Sequence, residues 1–120
     1  MIAVGTNAHL FAQPRRREEL RRCFQDVLGV PVADVDYPGV PGRMLLVRFP
    51  GGGSLSVEFR DEAPDDDGPR LGAWLELRAD DPATLVERAR AAGLPEVRHG
   101  GHPYYLAIPG GQVFAVAPTS

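Results

Sequence analysis

Phe49-Pro50-Gly51-Gly52-Gly53 leads into Ser54-Leu55-Ser56-Val57-Glu58-Phe59, and Ile108-Pro109-Gly110-Gly111 leads into Gln112-Val113-Phe114-Ala115-Val116. In both stretches an apolar residue, a proline and a glycine turn introduce a short run with strand character, so the second reads as an echo of the first. The copies differ in one chemical respect. Glu58 stands among apolar neighbours in the first, whereas the second carries no acid.

Working outward from the first copy, residues 43–49 and 54–60 read as a hairpin across the glycines. In its second arm Leu55, Val57 and Phe59 share one face, and Ser56, Glu58 and Arg60 share the other. Upstream, residues 32–37 are a weak strand. Before them Leu20, Cys23, Phe24, Val27 and Leu28 follow the spacing of an amphipathic helix that Pro14 opens and Gly29-Val30-Pro31 ends. Residues 8–12 alternate as a strand, with Ala8, Leu10 and Ala12 on one face and His9 and Phe11 on the other.

Around the second copy the pattern restarts. Residues 73–79 alternate as a strand, with Trp74, Glu76 and Arg78 on one face. Asp81-Pro82 is a helix start, and Leu85, Val86, Ala89 and Ala92 form its apolar stripe. Gly93-Leu94-Pro95 repeats the earlier helix end. Three short strands are expected after it, at 96–99, 104–108 and 112–117. The chain therefore reads as one domain over 1–120 made of two βαβββ units, 7–60 and 71–118, joined by an exposed acidic linker at 61–70. Too few residues separate the later strands of each half for the crossover helices of a parallel doubly wound sheet.

Bulk chemistry narrows the function classes. A net charge of −3 and a pI near 5.5 argue against nucleic acid as a partner. The basic run Arg15-Arg16-Arg17 and Arg21-Arg22 is interleaved with Glu18 and Glu19 and reads as a solvated helix face. A single cysteine, Cys23, excludes an internal disulfide and every multi-cysteine zinc motif, and its place on the helix stripe reads as a buried small hydrophobe. No apolar run reaches the roughly 18 residues of a membrane helix, and residues 1–13 lack the pattern of a signal peptide, so no membrane association and a cytoplasmic location are expected. The acidic run Asp65-Asp66-Asp67 lacks the ligand spacing of a calcium loop. No nucleophile elbow or phosphate loop occurs.

The paired halves, with Asp26-Val27-Leu28-Gly29, the run from Leu75-Glu76-Leu77 through Asp80-Asp81 to Ala91-Ala92-Gly93, and Pro109-Gly110-Gly111, resemble the vicinal oxygen chelate superfamily. This is the fold of glyoxalase I, bleomycin-resistance proteins and extradiol dioxygenases. The resemblance implies an α+β fold in which two βαβββ units form curved mixed sheets around a cup, with helices on the outer faces. It also implies a homodimer. In the metal-dependent members each half supplies two ligands. Mapped onto this chain, the ligand positions fall at His9, Glu58, Trp74 and Ala115. The first two are good donors for Zn, Ni, Fe or Mn, and the last two are not donors at all. The chain thus keeps His9 and Glu58 as the remnant of a half-site, and no metal cofactor is the favoured expectation. His99 or His102 is the candidate for a third ligand if one exists.

Alternation suggests a different use of the same space. The set His9, Phe11, Glu58, Trp74, Glu76 and Arg78, joined by Tyr104 or Tyr105, would line an apolar cavity with aromatic walls and a few polar anchors, as small-molecule binding requires. The expected function is a metal-independent binding protein of the bleomycin-resistance kind, sequestering an aromatic or cationic compound. The alternative is a metal-dependent lyase, isomerase or dioxygenase using His9 and Glu58, with Glu76 or Glu58 moving a proton.

Overall fold

In the computed structural model, which describes residues 1–119, the alternating stretch near the N-terminus forms β1 (Asn7–Ala12). The chain divides into two units, Met1–Pro64 and a second that begins at Asp65. In the first, Pro14 opens a 3-10 turn (Pro14–Arg16) that runs into α1 (Arg17–Arg22) and then a π turn (Cys23–Val27). The π turn departs from the regular helix that the spacing predicts. Its wider winding, closed by Leu28 N–H donating to the Cys23 carbonyl at 3.0 Å, keeps Leu28 in the core and turns Val27 half out. Then follow β2 (Val32–Asp36), β3 (Arg43–Arg48) and β4 (Ser54–Phe59). The sheet order is β1-β4-β3-β2, with β1 parallel to β4 and the other pairs antiparallel.

Register decides which face does what. Leu10 pairs Val57 and Val57 pairs Leu45, while Ala8 pairs Leu55 and Leu55 pairs Val47, so these six residues share one apolar face. Asp34, opposite Leu45, and Phe59, two residues beyond Val57, lie on that face too. The helix is pinned across it by arginines. The Arg21 guanidinium reaches both Asp34 oxygens at 2.7 Å, and Arg17 sits 4.3 Å over the Phe59 ring while donating to Asp34 at 3.2 Å. The basic run is therefore not a plain solvated face as its charge interleaving suggests: Arg16 is buried and paired with Glu19 at 3.0 Å, and two of its neighbours clamp the sheet. Charge spacing along a helix cannot reveal an acid on a distant strand. Leu20, Phe24, Leu45, Val47, Leu55 and Val57 are all at most 2% exposed and form the core of this unit.

The second unit contains β5 (Leu75–Ala79), α2 (Pro82–Ala91), β6 (Tyr105–Ala107) and β7 (Val113–Pro118). The Asp81 side chain caps α2, accepting from the Thr84 N–H at 3.2 Å and from its hydroxyl at 2.7 Å. Its sheet order is β5-β7-β6, with β5 parallel to β7 and β6 antiparallel to it. The strand expected at 96–99 does not form, so this unit is βαββ with three strands against four in the first. The segment is flanked by Pro95, Gly100-Gly101 and Pro103, and Glu96 and Arg98 pair with each other in the exposed layer. Val97 is its single apolar anchor, whereas β2 has both Val32 and Val35 half-buried. The strand expected from 73 begins only at Leu75, which leaves Trp74 in the loop before it.

The duplicated turns have the same hydrogen-bond pattern. Phe49 N–H donates to the Gly53 carbonyl and Gly52 N–H to the Phe49 carbonyl; Ile108 N–H donates to the Gln112 carbonyl and Gly111 N–H to the Ile108 carbonyl. The two helix ends also match, with Gly29 and Gly93 both at positive φ. The acidic segment is not wholly free of the sheet turns. Asp66 N–H donates to the Gly110 carbonyl at 3.1 Å and Arg70 N–H to the Gly111 carbonyl at 2.8 Å, so its second half is bonded to the later turn. Among the described residues, no helix is long and apolar enough to cross a membrane.

Candidate functional site

On the face of the first sheet opposite α1, β1 contributes His9 and Phe11 and β4 contributes Glu58. The parallel register sets His9 opposite Ser56 and Phe11 opposite Glu58, so the histidine and the carboxylate are diagonal neighbours on one face. His9 Nε2 lies 3.0 Å from Glu58 Oε1, and Arg60 Nε donates to Oε2 at 2.7 Å. Arg60 also sits 5.9 Å from the Phe11 ring centroid, and the His9 and Phe11 rings meet edge to face at 5.1 Å. Glu58 is buried; His9 and Phe11 are exposed.

Glu58 is thus a carboxylate with both oxygens engaged. The Arg60 guanidinium beside it, and then the His9 imidazole, hold its carboxyl below the ordinary glutamate value against the opposing effect of desolvation. The linkage has a definite sign. A folded-state value below the unfolded one contributes stability that is complete above the ordinary value of 4.5 and is lost as pH falls through the lowered folded value. The melting-temperature advantage of the wild type over Glu58→Gln should therefore persist at neutral pH and shrink in acid below that value. An advantage independent of pH would contradict the ionised pair.

The second unit gathers a different set. Register aligns Glu76 with Ala115 and Ala115 with Tyr105, which puts all three on one face of the sheet. On that face Tyr105, Ala107 and Val113 form a buried cluster, and Trp74, Val97 and Ala115 pack against it. The Trp74 and Tyr105 rings meet at 5.6 Å, Trp74 and His99 at 5.3 Å, and His102 and Tyr105 at 5.0 Å, all inclined steeply to one another. The indole is fixed by its Nε1–H, which donates to the Arg70 carbonyl at 2.8 Å. His102 is fixed too, its Nδ1 accepting from the Tyr104 N–H at 3.2 Å. Glu76 remains exposed and pairs with Arg78 at 3.4 Å.

Of the residues expected to line a site, the structure brings His9, Phe11 and Glu58 together in the first unit and Trp74 and Tyr105 together in the second. It distinguishes the two tyrosines: Tyr105 joins the ring cluster, and Tyr104 contacts His102 alone among these rings. Arg60, which the alternation sets on the same face as Glu58, is the arginine that pairs with it. Its position two residues after Glu58 on a strand was the available signal, since i and i+2 share a face. His99 and His102 enter as ring neighbours of Trp74 and Tyr105. A recess of about 110 Å³ lies between α2 and the following loop, lined by Val86, Ala89, Leu94, Val97, Tyr105 and Leu106, so it borders the ring cluster at Tyr105. It is smaller than the roughly 300–1,000 Å³ of a drug-sized ligand site. Cys23 is buried, which pushes its thiol up to about 12 and leaves it a core residue without thiolate chemistry.

Among the described residues, no three His, Cys, Asp or Glu side chains gather closely enough to hold a metal ion. His9 and Glu58 are two donors where a tight site normally uses three or more, and Glu58 is already neutralised by Arg60.

No protein-family model and no curated protein matches the chain. Solved structures do. The chain is similar to TnmS3, an antibiotic binding protein from Streptomyces sp. CB03234, at 21% identity and a TM-score of 0.66, covering 99% of this chain and 98% of that one. It is similar to a glyoxalase/bleomycin resistance protein from the same organism at 23% identity and a TM-score of 0.60, covering 92% and 98%. A lactoylglutathione lyase from Agrobacterium tumefaciens matches at 18% identity and a TM-score of 0.65, covering 99% and 96%. These likenesses show the glyoxalase/bleomycin-resistance fold, and both binding proteins and enzymes share it.

Proposed function

We propose that this chain, which has the glyoxalase/bleomycin-resistance fold, binds an aromatic small molecule without using a metal ion. One observation carries the reading: Trp74 and Ala115, which stand where the resemblance places two metal ligands, both pack against the Tyr105, Ala107 and Val113 cluster. An aromatic nest occupies the place of half a metal clamp. The half-buried indole, held in plane by its bond to Arg70, offers a ring surface that needs no reordering to receive another ring. An aromatic ligand is favoured over a cationic one because each candidate acid already has a cation, Arg60 for Glu58 and Arg78 for Glu76. The fold likeness to an antibiotic binding protein supports a binding role.

The test uses the single tryptophan as its own reporter. Titration of the purified protein with a panel of aromatic compounds should yield at least one that saturably changes Trp74 emission. The change should be the same before and after EDTA treatment, with metal content far below one equivalent. A metal that copurifies stoichiometrically, and whose removal abolishes binding, would overturn the reading.

A further inference from the structure

The His9–Glu58–Arg60 arrangement also determines which nitrogen of His9 can meet a ligand, an inference that rests on the reading that the chain takes an aromatic compound. Glu58 is buried, receives Arg60 Nε at 2.7 Å and is held ionised by it. An ionised carboxylate accepts hydrogen bonds and donates none. The 3.0 Å contact between His9 Nε2 and Glu58 Oε1 therefore requires the proton on Nε2. When the imidazole is neutral, its single N–H is the one on Nε2, and Nδ1 then presents a lone pair. Among the described residues, no group bonds that nitrogen, and the His9 side chain is 42% exposed.

Phe11 supplies the other half. It lies two residues further along β1 on the same face, is 45% exposed, and meets the His9 ring edge to face at 5.1 Å. An exposed aromatic beside an oriented acceptor supplies the two contacts, ring and hydrogen bond, that recognition of a small polar aromatic compound uses. We infer that His9 Nδ1 and the Phe11 ring recognise an aromatic compound bearing a hydroxyl, the ring packing on Phe11 while the hydroxyl donates to Nδ1. Glu58 and Arg60 are positioning residues in this scheme. They set the tautomer and orientation of His9, and Arg60, 5.9 Å from the Phe11 ring centroid, flanks the surface on which the ligand ring packs.

The experiment compares p-cresol with its methyl ether on the full chain, followed by NMR of the His9 and Phe11 side chains. The imidazole nitrogen shifts should show the Nε2–H tautomer in the free protein. The phenol should bind about tenfold more tightly than the ether, as one hydrogen bond worth up to about 1.5 kcal/mol allows, and should move the Nδ1 resonance. His9→Ala, which takes one partner from the buried Glu58 and is therefore checked for folding by its melting temperature, should erase the preference. Equal affinities for phenol and ether, or an Nδ1–H tautomer, would overturn the inference. Either result would leave the proposed function standing, because that is read from Trp74 emission and metal content.

Discussion

Gly111→Val should lower stability by about 3 kcal/mol and the melting temperature by about 10 °C. Gly111 has a φ of +105°, which a β-branched side chain adopts only under strain. Space is the second problem. A Cβ there would stand 2.9 Å from the Gly68 carbonyl oxygen and 3.0 Å from the Cβ atoms of Arg70 and Asp66. The twin position behaves alike, since Gly53 has a φ of +85° and its Cβ would meet the Thr6 carbonyl oxygen at 2.7 Å. Gly110 separates the two causes. Its φ is +95°, but its nearest neighbour is an Asp65 carboxylate oxygen at 3.9 Å, so Gly110→Ala should cost about 1 kcal/mol from backbone strain alone. Thermal denaturation of the two variants checks the ranking. Equal losses at Gly110 and Gly111 would show that the backbone contact is irrelevant.

Trp74→Ala should weaken binding of any compound that perturbs Trp74 emission by at least about tenfold, the scale of a buried aromatic anchor worth roughly 2 kcal/mol. The substitution removes the ring contacts to Tyr105 at 5.6 Å and His99 at 5.3 Å along with the ligand surface. Because the only tryptophan is lost, affinity must be followed by calorimetry. Trp74→Phe is the needed companion. It keeps an aromatic face but loses the indole bond to Arg70, and should retain most of the affinity with a broader range of accepted rings. Unchanged affinity in Trp74→Ala would remove the ring nest from the site.

Local signals account for most of what was legible beforehand. The Pro-Gly turns, the glycines ending both helices and the Asp81-Pro82 start are short-range devices whose physics is complete within a few residues, and each appears where its chemistry requires. The alternation that put His9, Phe11 and Glu58 on a face away from the apolar stripe is equally local, and the parallel register preserves it. The strand expected at 96–99 failed because a strand needs a partner and an apolar face, and one valine between proline-bounded ends provides neither.

The motif pair that organises the chain illustrates the division. Sequence by itself determined that the turn is duplicated and that the later copy has no acid, because these are facts of residue identity and spacing; that Trp74 and Ala115 stand at two ligand positions is what the family resemblance implies. Only tertiary structure decided that Arg60 spends its charge on Glu58, that Arg17 and Arg21 cross to the β2–β4 sheet, and that Trp74 and Ala115 meet on one cluster with Tyr105. Those outcomes depend on strand register and on which side chain among several reaches a given partner. Electrostatic and ring contacts act through space at a few ångströms, and sequence separation carries no record of that distance.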